Sequence, residues 1–344
     1  MAERVTIIDV SPRDGLQNEP GFVRTDDKFA LVGRLLDAGV DEVEVTSFVP
    51  PKWVPQFADA AALVARLARV EVDAAGLAAP WPRYLASDTE ALGEMLALVP
   101  NEKGMRDLLA ANVDPSDKSV PGPVGTVAVF AAASETFSKR NTNAGIAETL
   151  ERFGPVIALA RERNLVVRGY ISCAIECPFE GPIEPGAVAS LAASLLELGV
   201  DEIDAGDTIG AGTPETVGAM LRPLIDLCGE TDNWYHGEAR LTLHLHDTFG
   251  RAAACVLEAL RLGVRSFDGA VAGLGGCPYA GTPQRRAPGN IATELLVRTV
   301  REAGYETSVD ERRLREAAAF ARAIVARAEP LGADGGPAGA GATA

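Results

Sequence analysis

Residues 37–43 read Asp-Ala-Gly-Val-Asp-Glu-Val, residues 197–203 Glu-Leu-Gly-Val-Asp-Glu-Ile, and residues 261–267 Arg-Leu-Gly-Val-Arg-Ser-Phe. In each, a helical pattern stops at a glycine, a short acidic or polar turn follows, and a strand pattern begins. Glycine suits the position just past a helix C-terminus, where the backbone turns left-handed. Three copies of one helix-to-strand joint favour a closed barrel of equivalent units over an irregular open sheet.

Working outward, short β-branched runs predict strands at 5–10, 42–48, 124–130, 165–172, 202–205, 241–246 and 266–271. Helical patterns fall at 26–38, 55–68, 145–163, 186–198, 214–228 and 250–262. Such alternation is the signature of a parallel sheet with helices outside it. An eighth strand must lie between 71 and 100, where 70–72 and 96–99 both qualify. Residues 73–94 read as an inserted excursion and 112–123 as a long loop. Helices near 290–303 and 310–328 follow the barrel. The expected fold is an α/β, TIM (β/α)8 barrel with a C-terminal helical extension. Its parts would be a catalytic domain over 1–305, the extension over 306–330, and a Gly/Ala/Pro-rich tail over 331–344 expected to be disordered.

A chain of 344 residues that is 47% hydrophobic can bury a large core. No apolar run reaches about 18 residues, so no membrane partner is expected. A basic-then-apolar leader is missing, and five cysteines form no Cys-x-x-Cys pair, so a reducing cytoplasm is the expected location. The net charge of −16 excludes nucleic acid as a natural partner, since phosphates would be repelled. An anionic substrate would need a local basic pocket.

Within 241–250, Leu-Thr-Leu-His-Leu-His-Asp-Thr-Phe-Gly, the leucines alternate with Thr242, His244 and His246. Side chains at i and i+2 of a strand share a face, so both imidazoles project together. An isolated His-x-His is as often a hydrogen-bonded pair as half of a metal site. The neighbouring strand ends weigh against the plainer reading. A barrel carries its active site at the C-terminal ends of its strands. There the chain offers Arg13, Asp14 and Gln17, then Glu44 and Ser47, then Asp207, then the two histidines, then Cys277 and Asn290. A carboxylate, two imidazoles and an amide oxygen suit a hard divalent ion with open positions for substrate oxygens.

Arg-Asp-Gly-Leu-Gln-Asn (13–18), Val-Thr-Ser-Phe-Val (45–49), Lys-Trp-Val-Pro-Gln (52–56), Arg-Gly-Tyr-Ile-Ser-Cys (168–173), Gly-Asp-Thr-Ile-Gly (206–210), His-Asp-Thr-Phe-Gly (246–250), Ala-Gly-Leu-Gly-Gly-Cys-Pro-Tyr-Ala (272–280) and Gly-Asn-Ile-Ala-Thr-Glu (289–294) stand in this order. Together they resemble the 3-hydroxy-3-methylglutaryl-CoA lyase family over about residues 4–305. The resemblance implies Mg²⁺ or Mn²⁺ held by Asp14, His244, His246 and Asn290. It implies that Arg13 meets the thioester carbonyl, that Cys277 transfers a proton, and that Glu44 and Asp207 surround metal and substrate. It further implies an acyl-CoA substrate, a role in leucine degradation and a homodimer.

Taken singly, Asp14 reads as a turn residue, Cys277 as a packed thiol, and Glu44 and Asp207 as ion-pair partners of Arg13 or Arg168. Gln17, Ser47, Arg285 and Arg286 complete the expected substrate-binding set, the two arginines toward a CoA phosphate or an extra carboxylate. The sequence departs from the family pattern in a longer 277–290 loop, in Pro20 where a lysine is usual, in the 73–94 insertion, and in Asp204, which adds negative charge near the metal. A Claisen-type synthase joining acyl-CoA to a 2-oxo acid, and a barrel that holds metal without catalysis, are the alternatives.

Overall fold

A computed structural model of the chain describes residues 3–69, 95–113, 122–229, 240–276 and 289–330. The three joints behave as read. Gly39, Gly199 and Gly263 have φ of +80°, +98° and +100°. Each N–H bonds back three residues and the next N–H five, a cap that satisfies carbonyls left over at the helix end. The acidic turn also has a structural task. Asp41 accepts the Ile7 N–H at 2.8 Å, and Asp201 accepts that of Val167 at 2.8 Å. Each carboxylate thus pins the start of a neighbouring strand. In the third joint Arg265 replaces the acid and pairs outward with Glu3.

Eight strands close the ring: β1 (Thr6–Asp9), β2 (Glu42–Ser47), β3 (Met95–Leu98), β4 (Val124–Ala132), β5 (Val166–Ser172), β6 (Glu202–Asp207), β7 (Arg240–Leu245) and β8 (Ser266–Gly269). The order around the barrel is β1-β8-β7-β6-β5-β4-β3-β2, every pair parallel, with β1 and β2 sealing it. Of the two places open for the missing strand, 96–99 is the one used. Residues 70–94, which hold the other place and the 73–94 excursion, lie outside those described, as do 114–121 of the expected loop and the 331–344 tail. Asn112 fastens the loop's ends by bonding both N–H and C=O of Val124.

The helices are α1 (Thr25–Asp37), α2 (Ala60–Leu67), α3 (Glu102–Ala111), α4 (Glu135–Thr142), α5 (Ile146–Arg161), α6 (Pro185–Glu197), α7 (Pro214–Cys228), α8 (Ala252–Arg261), α9 (Thr293–Glu302) and α10 (Glu311–Ala326). The helix expected over 55–68 is broken: a 3-10 turn at Pro55–Phe57 precedes α2. Between the two, the Asp59 carboxylate is drawn across to Lys28 and Thr25. Helices α3 and α4 were not expected; side-chain caps from Asn101 and Ser134 start them.

Outward strand residues such as Val43, Val45, Leu241, Leu243 and Leu245 form the main core under the helices. Full burial of each such side chain contributes roughly 1.5–3 kcal/mol. α10 adds Leu314, Ala317, Ala321 and Ile324 to that core. Beyond it, Glu329–Pro330 pairs antiparallel with Gly21–Phe22 and so fastens the segment after α10 to the first loop.

The barrel interior is mixed. Ile8, Val10, Leu96, Leu98, Ala128, Tyr170 and Ala270 form an apolar patch. At the strand starts, Glu42, Arg168, Glu202 and Arg240 form a closed floor of charge, with Arg168 and Arg240 each pairing with both glutamates. Period two made this inevitable: Glu42 and Glu44 point inward because Val43 and Val45 point outward.

Candidate active site and metal centre

β1 ends in a single wide π-turn, Ser11–Gly15, with Pro12 near its start. The turn throws Arg13 and Asp14 over the barrel mouth. Arg13 Nε donates to Glu44 Oε2 at 2.5 Å, and Nη1 to Asp14 Oδ1 at 2.7 Å. Its guanidinium stacks 5.2 Å from the centre of the Tyr170 ring. Burial disfavours this cation, but Glu44 and Asp14 outweigh burial and keep it charged. Burial likewise works against the Asp14 carboxylate, yet Arg13 and the two histidines hold it well below the usual range.

The imidazoles of His244 and His246 lie side by side, ring centres 5.3 Å apart, facing the interior as period two requires. His246 Nε2 is 3.9 Å from Asp14 Oδ2. Asn290 joins them because backbone bonds tie the segment after β8 to the end of β7. Ile291 N–H donates to Leu245 C=O and Asp247 N–H to Gly289 C=O, each at 2.9 Å. Asn290 Nδ2 then donates to Asp14 Oδ2 at 2.9 Å. The expected four groups therefore converge.

Burial, then the neighbouring His244, pushes His246 down to about 4, which leaves a neutral ring with a lone pair. His244 goes the other way, up to about 9: burial opposes its charge, but a 3.0 Å bond from Nδ1 to Asp268 Oδ2 and three nearby carboxylates prevail.

These residues fit a divalent cation. Donor atoms of Asp14, His244 and His246 lie within 4.8 Å of one another. Asn290 Oδ1 is buried without a hydrogen-bond partner among the described residues, which a carbonyl oxygen tolerates poorly unless a cation or water meets it. The mixed oxygen and imidazole set suits a divalent metal ion.

The remaining expected residues divide. Glu44 is fully buried and is the partner of Arg13, as the ion-pair reading had it. Asp207 is not a partner of Arg13 or Arg168: it accepts the N–H groups of Ala211 and Gly212 at 3.0 and 2.8 Å and so shapes the loop after β6. Burial pushes its carboxyl up to about 6, against those bonds. Ser47 Oγ accepts the Val49 N–H at 3.3 Å, and Gln17 is half-buried just past the π-turn. Cys277, Arg285 and Arg286 lie outside the described residues.

The glycine-rich run before Cys277 is held against the first loop by a 3.0 Å bond from Asn18 Nδ2 to Gly276 C=O. Gly275 has φ +98° and passes so close that an added Cβ would sit 2.7 Å from Asn290 Nδ2. Sequence reasoning missed Asp268 and Tyr170, both inward-facing. Alternation in Ser266-Phe-Asp-Gly was the available signal for Asp268.

The family model described as HMGL-like matches residues 4–321. The curated relative named 3-hydroxy-3-methylglutaryl-CoA lyase, cytoplasmic, of Rattus norvegicus is 39% identical over 320 residues, covering 93% of this chain and 81% of its own. The mitochondrial hydroxymethylglutaryl-CoA lyase of Bos taurus is 41% identical over 318 residues, covering 92% and 85%. The crystal structure of HMG-CoA lyase from Brucella melitensis superimposes with a TM-score of 0.78 at 42% identity, covering 94% of this chain and 100% of that one. Family model, relatives and fold agree with the resemblance carried by the motifs: the chain belongs to the HMGL-like family, and it is a carbon–carbon lyase on a TIM barrel.

Proposed function

We propose that this chain cleaves 3-hydroxy-3-methylglutaryl-CoA, or a close 3-hydroxy-3-alkyl relative, to acetyl-CoA and a 3-oxo acid, acetoacetate for the methyl substrate. The observation that carries the reading is the meeting of Asp14, His244, His246 and Asn290 beside a charged, tethered Arg13. When bound, Mg²⁺ or Mn²⁺ on those four residues would supply Lewis acidity toward the substrate's hydroxyl and carbonyl oxygens. Glu44 and Asp14 take Nε and Nη1 of Arg13, so its remaining Nη2 is the group offered to a third acceptor. A guanidinium fixed in advance stabilises a thioester enolate oxygen as charge develops, with no reorganisation at the moment of reaction.

Cys277 follows directly on Gly276, which Asn18 ties to the Arg13 loop. The Cys277 thiol is the proposed donor of the proton that converts the released enolate to acetyl-CoA. Glu44 acts by fixing Arg13, and Asp207 by shaping the β6 loop. Gln17, Ser47, Arg285 and Arg286 are proposed for substrate binding, the arginines toward CoA phosphates or an extra carboxylate. Double substitution of the arginines by alanine is expected to raise KM, and an unchanged KM removes that role. A homodimer and a place in leucine degradation, which rest on resemblance, and a cytoplasmic location, which rests on the cysteine pattern, belong to the same proposal.

The test is a panel of 3-hydroxy-3-alkylglutaryl-CoA esters incubated with and without Mg²⁺ or Mn²⁺, with acetyl-CoA release followed directly. Metal-dependent release from at least one ester is expected. No acetyl-CoA from any ester with either metal would sink the proposal.

A further inference from the structure

Under the four converging groups lies charge that the proposed reaction does not use. Strand pairing sets Asp268 of β8 level with His244 of β7. One carboxylate oxygen, Oδ2, is 3.0 Å from His244 Nδ1; the other, Oδ1, is 3.6 Å from Arg168 Nη1. Arg168 cannot swing away, because Glu202 holds its Nε at 2.8 Å and Glu42 its Nη2 at 2.9 Å. Asp204 stands 3.7 Å from the same Nη1.

We propose that Asp268 is the positioning residue of the metal site: it accepts a hydrogen bond from Nδ1–H of His244, leaves Nε2 free to face the cation position, and locks the ring to the charged floor. The proposal rests on the metal reading given above. An imidazole carries two nitrogens, and a metal can use only the one without a proton. A carboxylate on the opposite nitrogen selects the tautomer and fixes the ring plane. Asp268 is buried, so solvent does not compete for that bond. The Tyr170 ring meets His244 edge-on, centres 6.4 Å apart at 86°.

His246 is held differently. Its Nδ1 is buried with no hydrogen-bond partner among the described residues, and its place comes from the backbone bridge to Asn290. The two imidazoles are therefore anchored unequally, one by a side chain and one by the main chain. Asp204, His244 and Asp268 also lie close enough to hold a second cation. Arg168 already fills the cationic place beside both carboxylates, which favours a positioning role over a second ion.

The experiment measures Mn²⁺ binding to the full chain by the electron paramagnetic resonance of free Mn²⁺. The parent is expected to take one Mn²⁺ per chain. Asp268→Asn places an N–H donor beside Nδ1 and favours the wrong tautomer. It is expected to weaken Mn²⁺ about 10- to 100-fold, with the apo thermal midpoint little changed and part of the activity regained at excess Mn²⁺. A folded Asp268→Asn protein whose Mn²⁺ affinity stays within about threefold of the parent overturns the proposal.

Should that variant not fold, the parent still decides. With three histidines in the chain, long-range ¹H–¹⁵N spectra of the Mg²⁺-loaded protein resolve each ring, assigned by single His→Gln variants. His244 is expected as the Nδ1–H tautomer; the Nε2–H tautomer overturns the idea. Two Mn²⁺ per parent chain, one of them lost in Asp204→Asn, would also overturn it. Loss of binding in His246→Ala with none in Asp268→Asn sinks this inference alone, whereas binding that survives His246→Ala sinks the metal reading beneath it.

Discussion

Gly275→Ala perturbs the proposed metal centre without replacing any of its four residues. Gly275 has φ +98°, and its added methyl would lie 2.7 Å from Asn290 Nδ2 and 3.5 Å from Asp14 Oδ2. Ordinary contact begins near 3.4 Å, so the Asn290 amide or the loop must move by roughly 0.7 Å in a closely packed site. The left-handed backbone adds about 1–2 kcal/mol of strain for a residue with a Cβ. That strain lowers the thermal midpoint by about 1–3 °C in a chain of this size. Displacement of a ligand on this scale costs up to about 100-fold in rate. The assay pairs Mn²⁺ affinity with acetyl-CoA release over a Mn²⁺ series, and the apo midpoint is measured alongside. The expected pattern is a modest loss of stability with a large loss of metal affinity. A Gly275→Ala protein that binds Mn²⁺ within threefold of the parent would falsify the argument that this glycine exists to let Asn290 and Asp14 meet.

Arg13→Lys keeps a charge but reaches only one of Glu44 and Asp14, and it gives up the planar fork. Its kcat is expected to fall about 10²- to 10³-fold, and a fall under tenfold in steady-state turnover removes Arg13 from enolate stabilisation. Cys277→Ala should lower kcat about 10²- to 10⁴-fold while the Mn²⁺ constant is unchanged; unaltered turnover means that another group supplies the proton.

Burial pushes Asp9 up to about 6 from 3.8, against bonds from Ser11 and Thr293. The folded chain therefore holds a proton that the unfolded chain has released, so between about pH 4 and 6 stability falls as pH rises, by about 3 kcal/mol in all. Between pH 4.5 and 7 the unfolding free energy from urea titration is expected to fall by about 2 kcal/mol more in the parent than in Asp9→Asn. Parallel profiles would show that Asp9 titrates normally.

How much of this was legible in the chain follows from what each signal measures. The glycine joints at 39, 199 and 263 report a local backbone need, and local needs survive into the fold. Alternation at 241–246 reports a two-sided strand, so both imidazoles came out on one face. The eighth strand stayed open because Val70 to Val72 and Leu96 to Val99 both carry strand-forming residues, and only pairing with β2 and β4 decides between them. The union of Glu329–Pro330 with Gly21–Phe22 had no signal, since two residues make no periodicity. Asp268 was missed for another reason. Its role exists only opposite His244, 24 positions earlier, and such a pairing is set by register rather than by neighbours in sequence. Asp207 shows the converse: its motif drew attention to chemistry, while its carboxylate is occupied with the Ala211 and Gly212 amides.

The ring of Glu42, Arg168, Glu202 and Arg240 turns the barrel into a cul-de-sac. Among the described residues that floor closes the end opposite the proposed metal centre, so of two fragments released there, the one deeper inside is expected to depart after, or slide past, the bulkier one nearer the mouth. An ordered sequence of departures, visible in product-inhibition patterns, is the kinetic imprint that such a dead end leaves.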